Sequence, residues 1–268
     1  MMKKTLLSLF LVGSVTLTGC STISDLIDSK PDDQKTVEEF YNSASEAFAD
    51  KQWEAAIEDY EKLKAFYPYG KYAEQSYLEL AYSYYKYDEP ESAIRELEEF
   101  IRLYPRHSAL AYAYYLKAVA ADSVTKSWLD KYITDPATRD VRSAERAYEF
   151  YQDLIKRFPN SKYAVAASQR LIVLKNQRAR HELQVANFYM AREAYLAAAN
   201  RARTVLTDFP RSASTEDALN LLAIAYDKMG MTDNRNSVLE VYKLNKARLE
   251  ASSTTLEDME KVADPRKK

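Results

Sequence analysis

The sequence predicts an all-α fold built from about five repeated helix pairs. Four aromatic-proline pairs mark the ends of helical patterns along the chain: Tyr67-Pro68, Tyr104-Pro105, Phe158-Pro159 and Phe209-Pro210. Proline disfavours the helical conformation of the residue before it, so each pair predicts a helix end. After the N-terminal segment the only glycines are Gly70 and Gly230, which excludes glycine-rich loops that bind phosphates or dinucleotides.

Two further columns of residues repeat in step with these prolines. Twelve residues before each proline stands an alanine, and five before each stands a large apolar residue. The alanines are Ala56, Ala93, Ala147 and Ala198, and the apolar residues are Leu63, Phe100, Leu154 and Val205. A small residue lets two helices approach closely and a bulky one fills the gap beside it, so these columns predict helix crossings.

The clearest repeat covers residues 77–105. Apolar residues recur there at i, i+3, i+4 and i+7, as Tyr77, Leu80, Ala81 and Tyr84, and Pro90 then opens a second helix. This unit resembles the tetratricopeptide repeat, a helix-turn-helix of 34 residues. The expected fold class is therefore a tetratricopeptide-repeat superhelix. The first helix of its last pair is expected to end at Gly230, which would act as the C-cap.

The spacing of the prolines predicts where the array is irregular. The prolines of successive aromatic-proline pairs are 37, 54 and 51 residues apart, so both later intervals contain an insertion. The first insertion, Asp122 to Asp140, is interpreted as an ordered loop. In the second, no helix breaker occurs between Ser161 and Phe188, which predicts one unusually long helix.

The N-terminus has the pattern of a lipoprotein signal peptide. Lys3 and Lys4 precede a short apolar run that ends in Leu17-Thr18-Gly19-Cys20, which resembles the bacterial lipobox. The run is too short to span a bilayer, and Cys20 is the only cysteine in the chain. We expect cleavage before Cys20 and a membrane anchor of lipid on it; an ordinary secretory signal with a free cysteine is the alternative. An aspartate after the cysteine would resemble the inner-membrane retention signal of enterobacteria; Ser21 stands there instead, so we expect delivery to the outer membrane.

These patterns divide the chain into five parts. They are a signal peptide at 1–19, a flexible lipidated tether at 20–34, repeats one to three at 35–159, repeats four and five at 160–249, and a polar tail at 250–268.

Composition argues against several function classes. Without Lys3 and Lys4 the chain keeps 36 basic and 40 acidic residues, a balance that does not suit nucleic-acid binding. The two histidines, His107 and His181, are distant in sequence and have no evident partners for acid-base or metal chemistry. We expect no enzyme activity, metal or cofactor.

Tyrosine is the informative excess, with 22 residues that are dense between Tyr67 and Tyr87. Most are expected to pack in the core. Tyr82 and Tyr85 fall on a different helical face from Tyr77 and Tyr84, which leaves their rings available to a concave peptide-binding surface.

Several segments together resemble the BamD family, a lipoprotein subunit of the outer-membrane β-barrel assembly (BAM) machinery. They are residues 66–72, 78–86, 157–163 and 170–175, followed by Tyr189, Asn200 and Arg201. The resemblance extends from about residue 35 to residue 246. It implies an adaptor without covalent chemistry that binds the POTRA domains of a BamA-like insertase, BamC-like and BamE-like lipoproteins, and unfolded outer-membrane protein precursors.

The resemblance also assigns residues to two sites. The precursor groove would contain Tyr67, Tyr69, Tyr72, Tyr82 and Tyr85, and the BamA-type partner site would contain Tyr189, Asn200, Arg201 and Arg203. Polar residues such as Asn200 and Arg201 could instead only cap or bridge neighbouring helices. The alternative for the whole protein is a periplasmic repeat scaffold for cell-wall or division factors.

Overall fold

The computed structural model describes residues 30–124 and 141–246, all of whose regular elements are helical. Its helices are α1 (Val37–Ala49), α2 (Trp53–Phe66), α3 (Ala73–Lys86), α4 (Pro90–Leu103), α5 (Leu110–Ser123), α6 (Val141–Arg157), α7 (Lys162–Met190), α8 (Tyr195–Asp208), α9 (Thr215–Lys228) and α10 (232–246). They form five successive helix pairs, so the predicted all-α tetratricopeptide class is confirmed. Cys20, the signal peptide, most of the first insertion and the polar tail lie outside the described residues.

Four helices end where the aromatic-proline pairs predict. α2, α4, α6 and α8 stop at Phe66, Leu103, Arg157 and Asp208, each directly before the aromatic residue of its pair. The residues of both repeated columns have no exposed surface in the folded chain. Each alanine and its large apolar partner therefore belong to the core, as the sequence predicts.

The chain divides into two compact units, the first ending at Ser76 and the second beginning at Tyr77. In the first unit α1 packs against α2, and a capping box starts α1. There the Glu39 amide donates to the Thr36 hydroxyl (3.2 Å), and the Thr36 amide donates to the Glu39 carboxylate (2.8 Å). Two orphan amide groups at the helix start are thereby satisfied.

A short 3-10 turn, Asp32–Gln34, precedes α1. The Asp32 carboxylate pairs with Lys35 and with Lys62 on α2, at 2.8 and 3.3 Å. The last three residues of the segment predicted as a tether are thus held against the first unit.

In the second unit each helix from α5 onward packs against the next one up to α9. α7 has 29 residues, which confirms the predicted long helix, and it contacts α5, α6, α8 and α9. The buried Asn176 amide joins α7 to the segment before α9: its nitrogen donates to the Ile172 carbonyl, and its oxygen accepts the Ala213 amide, both at 2.9 Å.

The first insertion begins later than the sequence suggests. Asp122 and Ser123 continue α5 as its last residues, and Asp122 is 4% exposed. α5 therefore extends two residues into the segment predicted as a loop. At the other end of the unit Gly230 has φ +71°, the left-handed conformation that a C-cap glycine adopts after α9.

No helix within the described ranges is both long and apolar enough to cross a membrane.

Candidate functional site

Tyr82 and Tyr85 lie one helical turn apart near the end of α3, in the second unit. Their rings meet edge to face, with centroids 6.2 Å apart, and both are half-buried against the apolar cluster of α3, α4 and α5. The Lys86 ammonium lies 5.4 Å from the centroid of each ring. The two predicted groove tyrosines of this unit therefore share one surface and one cation.

Three tyrosines that were not assigned to the groove extend this aromatic surface. Tyr112 and Tyr115 lie one turn apart on α5, and both pack on Tyr163 at the start of α7, with ring centroids 5.8 and 5.1 Å away. Burial raises the pKa of Tyr112 well above its ordinary value, and nearby Tyr82 adds to the shift. We call the set Tyr82, Tyr85, Tyr112, Tyr115 and Tyr163 the aromatic face. The i, i+3 spacing shared by its two tyrosine pairs is the signal in the sequence that could have identified the additional residues.

A buried ion pair joins two of the helices that carry the aromatic face, α5 and α7. The Arg170 guanidinium on α7 donates two hydrogen bonds to the Asp122 carboxylate on α5, at 2.6 and 2.9 Å. Burial, with Asp122 nearby, raises the pKa of Tyr115. A bidentate pair fixes the relative orientation of two planar groups. It therefore sets the position of the Tyr115 helix against the Tyr163 helix.

The three remaining predicted groove residues belong to the first unit and differ in their surroundings. The Tyr67 hydroxyl donates to the Lys35 carbonyl (2.8 Å), which ties the chain before α1 to the end of α2. The Tyr72 ring stacks on Tyr41, with centroids 4.3 Å apart, and Lys71 donates to its hydroxyl. Tyr69 is 81% exposed. Tyr69 is thus the most accessible of the three, whereas Tyr67 has a structural contact of its own.

The predicted partner-site residues lie around the turn from α7 to α8. The Arg201 guanidinium pairs with Glu182 on α7 at 3.0 Å, which is the helix-bridging role that the sequence left open. About half of that side chain remains exposed. Asn200 is exposed and lines an open groove of about 570 Å³ together with Leu196 and Met229.

Tyr189 and Arg203 complete the predicted set. Tyr189 packs partly buried against the apolar cluster of α7, α8 and α9, and its carbonyl accepts the Ala194 amide at the turn. Arg203 is exposed on α8. Tyr189 thus lies at the end of α7, whereas residues 200–203 lie in the middle of α8.

Apolar side chains are exposed at the same turn. Phe188 is 51% exposed and Leu196 is 65% exposed, and the Arg192 guanidinium lies 3.5 Å above the Phe188 ring. We call Phe188, Arg192, Leu196, Asn200 and Arg201 the hairpin surface. Exposed aromatic and arginine side chains beside an apolar groove are typical of protein interfaces.

His107 has a local structural role. Its Nδ1 accepts the Ala109 amide (3.0 Å) just before α5, and its ring lies edge-on to Phe100. Within residues 30–124 and 141–246 no group of three histidine, cysteine or acidic residues is arranged to hold a metal ion.

Comparison with known proteins identifies the family. A family model described as "YfiO: Outer membrane lipoprotein" matches residues 33–241. The "Outer membrane protein assembly factor BamD" of Neisseria meningitidis is 36% identical over 231 residues, which cover 85% of this chain and 86% of the relative. The protein of the same name in Vibrio cholerae is 33% identical, and the match covers 93% of its length. That of Pasteurella multocida is 30% identical over 250 residues, 93% of this chain and 92% of the relative.

These matches include the residues of the aromatic face and of the hairpin surface, both of which belong to the second unit. The resemblance inferred from the sequence is confirmed, and the chain belongs to the BamD (YfiO) family of outer membrane lipoproteins.

Proposed function

We propose that the protein is an outer-membrane lipoprotein adaptor of the BAM complex. It binds the POTRA domains of a BamA-like insertase and BamC-like and BamE-like lipoproteins, and it helps to deliver unfolded β-barrel precursors for insertion. The relatives in Neisseria meningitidis and Vibrio cholerae are outer membrane protein assembly factors, which supports the general role. The observation that carries the proposal is the aromatic face, which three helices of different repeats build together.

The aromatic face suits an extended, amphipathic ligand. Tyrosine rings offer apolar area, while their hydroxyl groups can bond to the unpaired backbone groups of a strand. The five rings belong to α3, α5 and α7, the first helices of successive pairs, which line the binding side of tetratricopeptide arrays. In the first unit, Tyr69 and Tyr72 offer a separate aromatic contact for the same class of ligand.

The hairpin surface is our candidate for the POTRA contact. Arg201 keeps its guanidinium half exposed while Glu182 holds it in place, so it can bind a partner carboxylate with little loss of side-chain freedom. Asn200 and the apolar groove beside it would surround that contact. Tyr189 packs against the core beneath the turn, and its carbonyl accepts the Ala194 amide. Arg203 is a second exposed cation on α8, the helix of Arg201.

The anchor is the third part of the proposal. Lipid on Cys20 would hold the protein on the periplasmic side of the outer membrane, with residues 20–31 as the connection to the first unit. Several acyl chains on one residue anchor a protein stably, whereas a single chain gives reversible binding.

Two charge or ring substitutions separate the two surfaces experimentally. Arg201→Glu should weaken binding to purified POTRA domains by about tenfold or more and leave peptide binding unchanged, because a fully charged interface anchor is reversed. Tyr85→Ala should weaken binding of a C-terminal barrel peptide and leave POTRA binding unchanged. Titration of each variant against both ligands measures the separation.

Matched controls exist for both variants. Arg102→Glu also reverses the charge of an exposed arginine that pairs with a glutamate, in this case Glu99 on the same helix, α4. Tyr87→Ala removes a 43% exposed ring just after α3. If correctly folded Arg201→Glu and Tyr85→Ala proteins behave like these controls, the residue assignments are wrong. If the parent protein binds neither ligand, the adaptor proposal itself fails.

A further inference from the structure

One face of α8 is exposed and carries an apolar residue at one end and a cation at the other. Leu196, Asn200 and Arg203 occur at i, i+4 and i+7, so they share this face, and all three are exposed. Leu196 and Asn200 line the open groove together with Met229. Among residues 30–124 and 141–246 no carboxylate pairs with Arg203. The groove therefore lies beside a cation that an acidic ligand can bind.

Basic residues dominate the surroundings of this groove. Residues 160–246 contain 13 lysines and arginines but 8 aspartates and glutamates. Arg192 and Lys228 are exposed, and each adjoins a lining residue in the sequence. Glu193 alone is acidic among the described residues that line the groove. Such a groove suits a helix with an apolar stripe and flanking carboxylates.

The chain itself contains such a segment, at residues 254–264, outside the described residues. The sequence places Leu256, Met259 and Ala263 at i, i+3 and i+7, with Val262 beside them, which predicts an amphipathic helix. Four acidic residues and one lysine occupy the other side of this predicted helix: Glu257, Asp258, Glu260, Asp264 and Lys261. Its charge is therefore opposite to that of the groove surroundings.

Both ends of the predicted helix have local signals. Thr254 and Glu257 have the spacing of a capping box, the same spacing at which Thr36 and Glu39 form one at the start of α1. Pro265 disfavours the helical conformation of the residue before it. A helix of about ten residues is barely stable alone in water, so it needs an apolar surface on which to pack.

The connection to this segment is long enough to reach the groove. The Tyr242 hydroxyl on α10 donates to the Glu216 carboxylate near the start of α9 (2.8 Å), so the described chain ends near that point. Met229 directly follows α9, a 14-residue helix about 21 Å long. Residues 247–253 can extend over about 24 Å, which is sufficient to cover this distance.

We propose that residues 254–264 fold as an amphipathic helix in the groove of their own chain, with Leu256 and Met259 packed against Leu196 and the carboxylates toward Arg203. The segment then covers the hairpin surface until a partner displaces it. Burial of apolar area provides the affinity, and opposite charge favours one orientation. The docking itself does not depend on which partner binds the hairpin surface.

Hydrogen exchange of the full chain, followed by mass spectrometry, tests the docking. In the parent protein we expect the amides of residues 256–263 to exchange about tenfold or more slowly than those of an unstructured chain. Leu196→Asp should remove this protection, because a carboxylate in the groove opposes apolar packing. Leu256→Asp, which changes only the segment, should remove it as well.

Val165→Asp is the matched control for the groove variant. Val165 is 66% exposed and Leu196 is 65% exposed, and both lie on helices of the second unit. Val165→Asp should therefore keep the protection of residues 256–263.

Three results would overturn the docking. The first is exchange of residues 256–263 at the unstructured rate in the parent protein. The second is protection that persists in correctly folded Leu196→Asp, which would place the segment elsewhere. The third is protection that disappears on dilution, which would mean that a second copy of the chain supplies the segment.

Displacement by a partner is measured separately, and this part rests on the proposed function of the hairpin surface. Leu256→Asp should bind purified POTRA domains about three- to tenfold more tightly than the parent, because the groove is already vacant. Ser252→Asp adds the same charge outside the apolar stripe and should bind like the parent. Unchanged POTRA affinity in a Leu256→Asp protein that has lost protection would reject the competition. Absence of POTRA binding to the parent and to Leu256→Asp would reject the proposed function and leave the exchange result valid.

Discussion

The four repeated alanines are fully buried, and we expect the helices of a pair to approach each other closely at these positions. Interiors are packed at near-crystalline density, so an added side chain must displace its neighbours. Each repeat therefore has little room for a larger side chain at its alanine.

We predict that Ala93→Leu and Ala198→Leu each lower the free energy of unfolding by about 1–3 kcal/mol through overpacking. Ala65→Leu on α2 is the control, because Ala65 is exposed and leucine there should change stability little. Urea unfolding followed by circular dichroism measures all three. Equal stability of the buried and exposed variants would contradict the repeat register.

At the residue scale the sequence predicts the core better than the site. The alanine column and the column of large apolar residues repeat at fixed distances from proline, so local spacing is sufficient to find them. Asp122 and Arg170 are 48 residues apart and meet only because α7 packs against α5. Nothing in the local pattern of either residue specifies that partner.

At the scale of elements, helix ends were predictable because proline acts on its own neighbours. Packing between elements was not, and the aromatic face illustrates why. Tyr163 lies at the start of α7, and its ring stacks on that of Tyr115 on α5. An insertion separates the two residues in the sequence, and its length does not predict the distance between the two rings. The tyrosines were visible in the sequence, but their common surface depends on the order in which helices pack.

We predict that Asn176→Ala weakens the joint between α7 and α9 and lowers the free energy of unfolding by about 1–3 kcal/mol. The substitution leaves the Ala213 amide without its side-chain acceptor and empties the buried position of the Asn176 side chain. The Ala213 amide should also exchange its hydrogen faster, as measured by NMR.

Asn245→Ala is the control for this joint. Among the described residues the Asn245 side chain donates to the Val241 carbonyl within α10 alone, so its removal there leaves no amide of another element unpaired. The same loss of stability in both variants would mean that the side-chain bridge to Ala213 adds nothing to the joint.

At the scale of the whole molecule, we propose that location depends on Cys20, which lies outside the described part of the chain. We predict that Cys20→Ser, secreted with a cleavable signal peptide in place of residues 1–19, is recovered folded in the soluble periplasmic fraction. The reason is loss of the lipid that inserts in the bilayer. Membrane fractionation and labelling with radioactive palmitate measure it.

Thr22→Ala, behind its own lipobox, should remain membrane-bound and labelled. Retention of the Cys20→Ser protein in the outer-membrane fraction of cells that lack its partners would contradict lipid anchoring.

The 29 residues of α7 also bear on how the second unit unfolds. In a regular array each repeat contacts only its neighbours, so the ends can open one repeat at a time. α7 contacts helices of three successive pairs, α5 and α6 before it, α8 beside it and α9 after it. Opening any one of these pairs exposes part of the same helix, which couples their unfolding. The aromatic face and the hairpin surface both include residues of α7, so we expect a partner that binds one of them also to protect the other from unfolding.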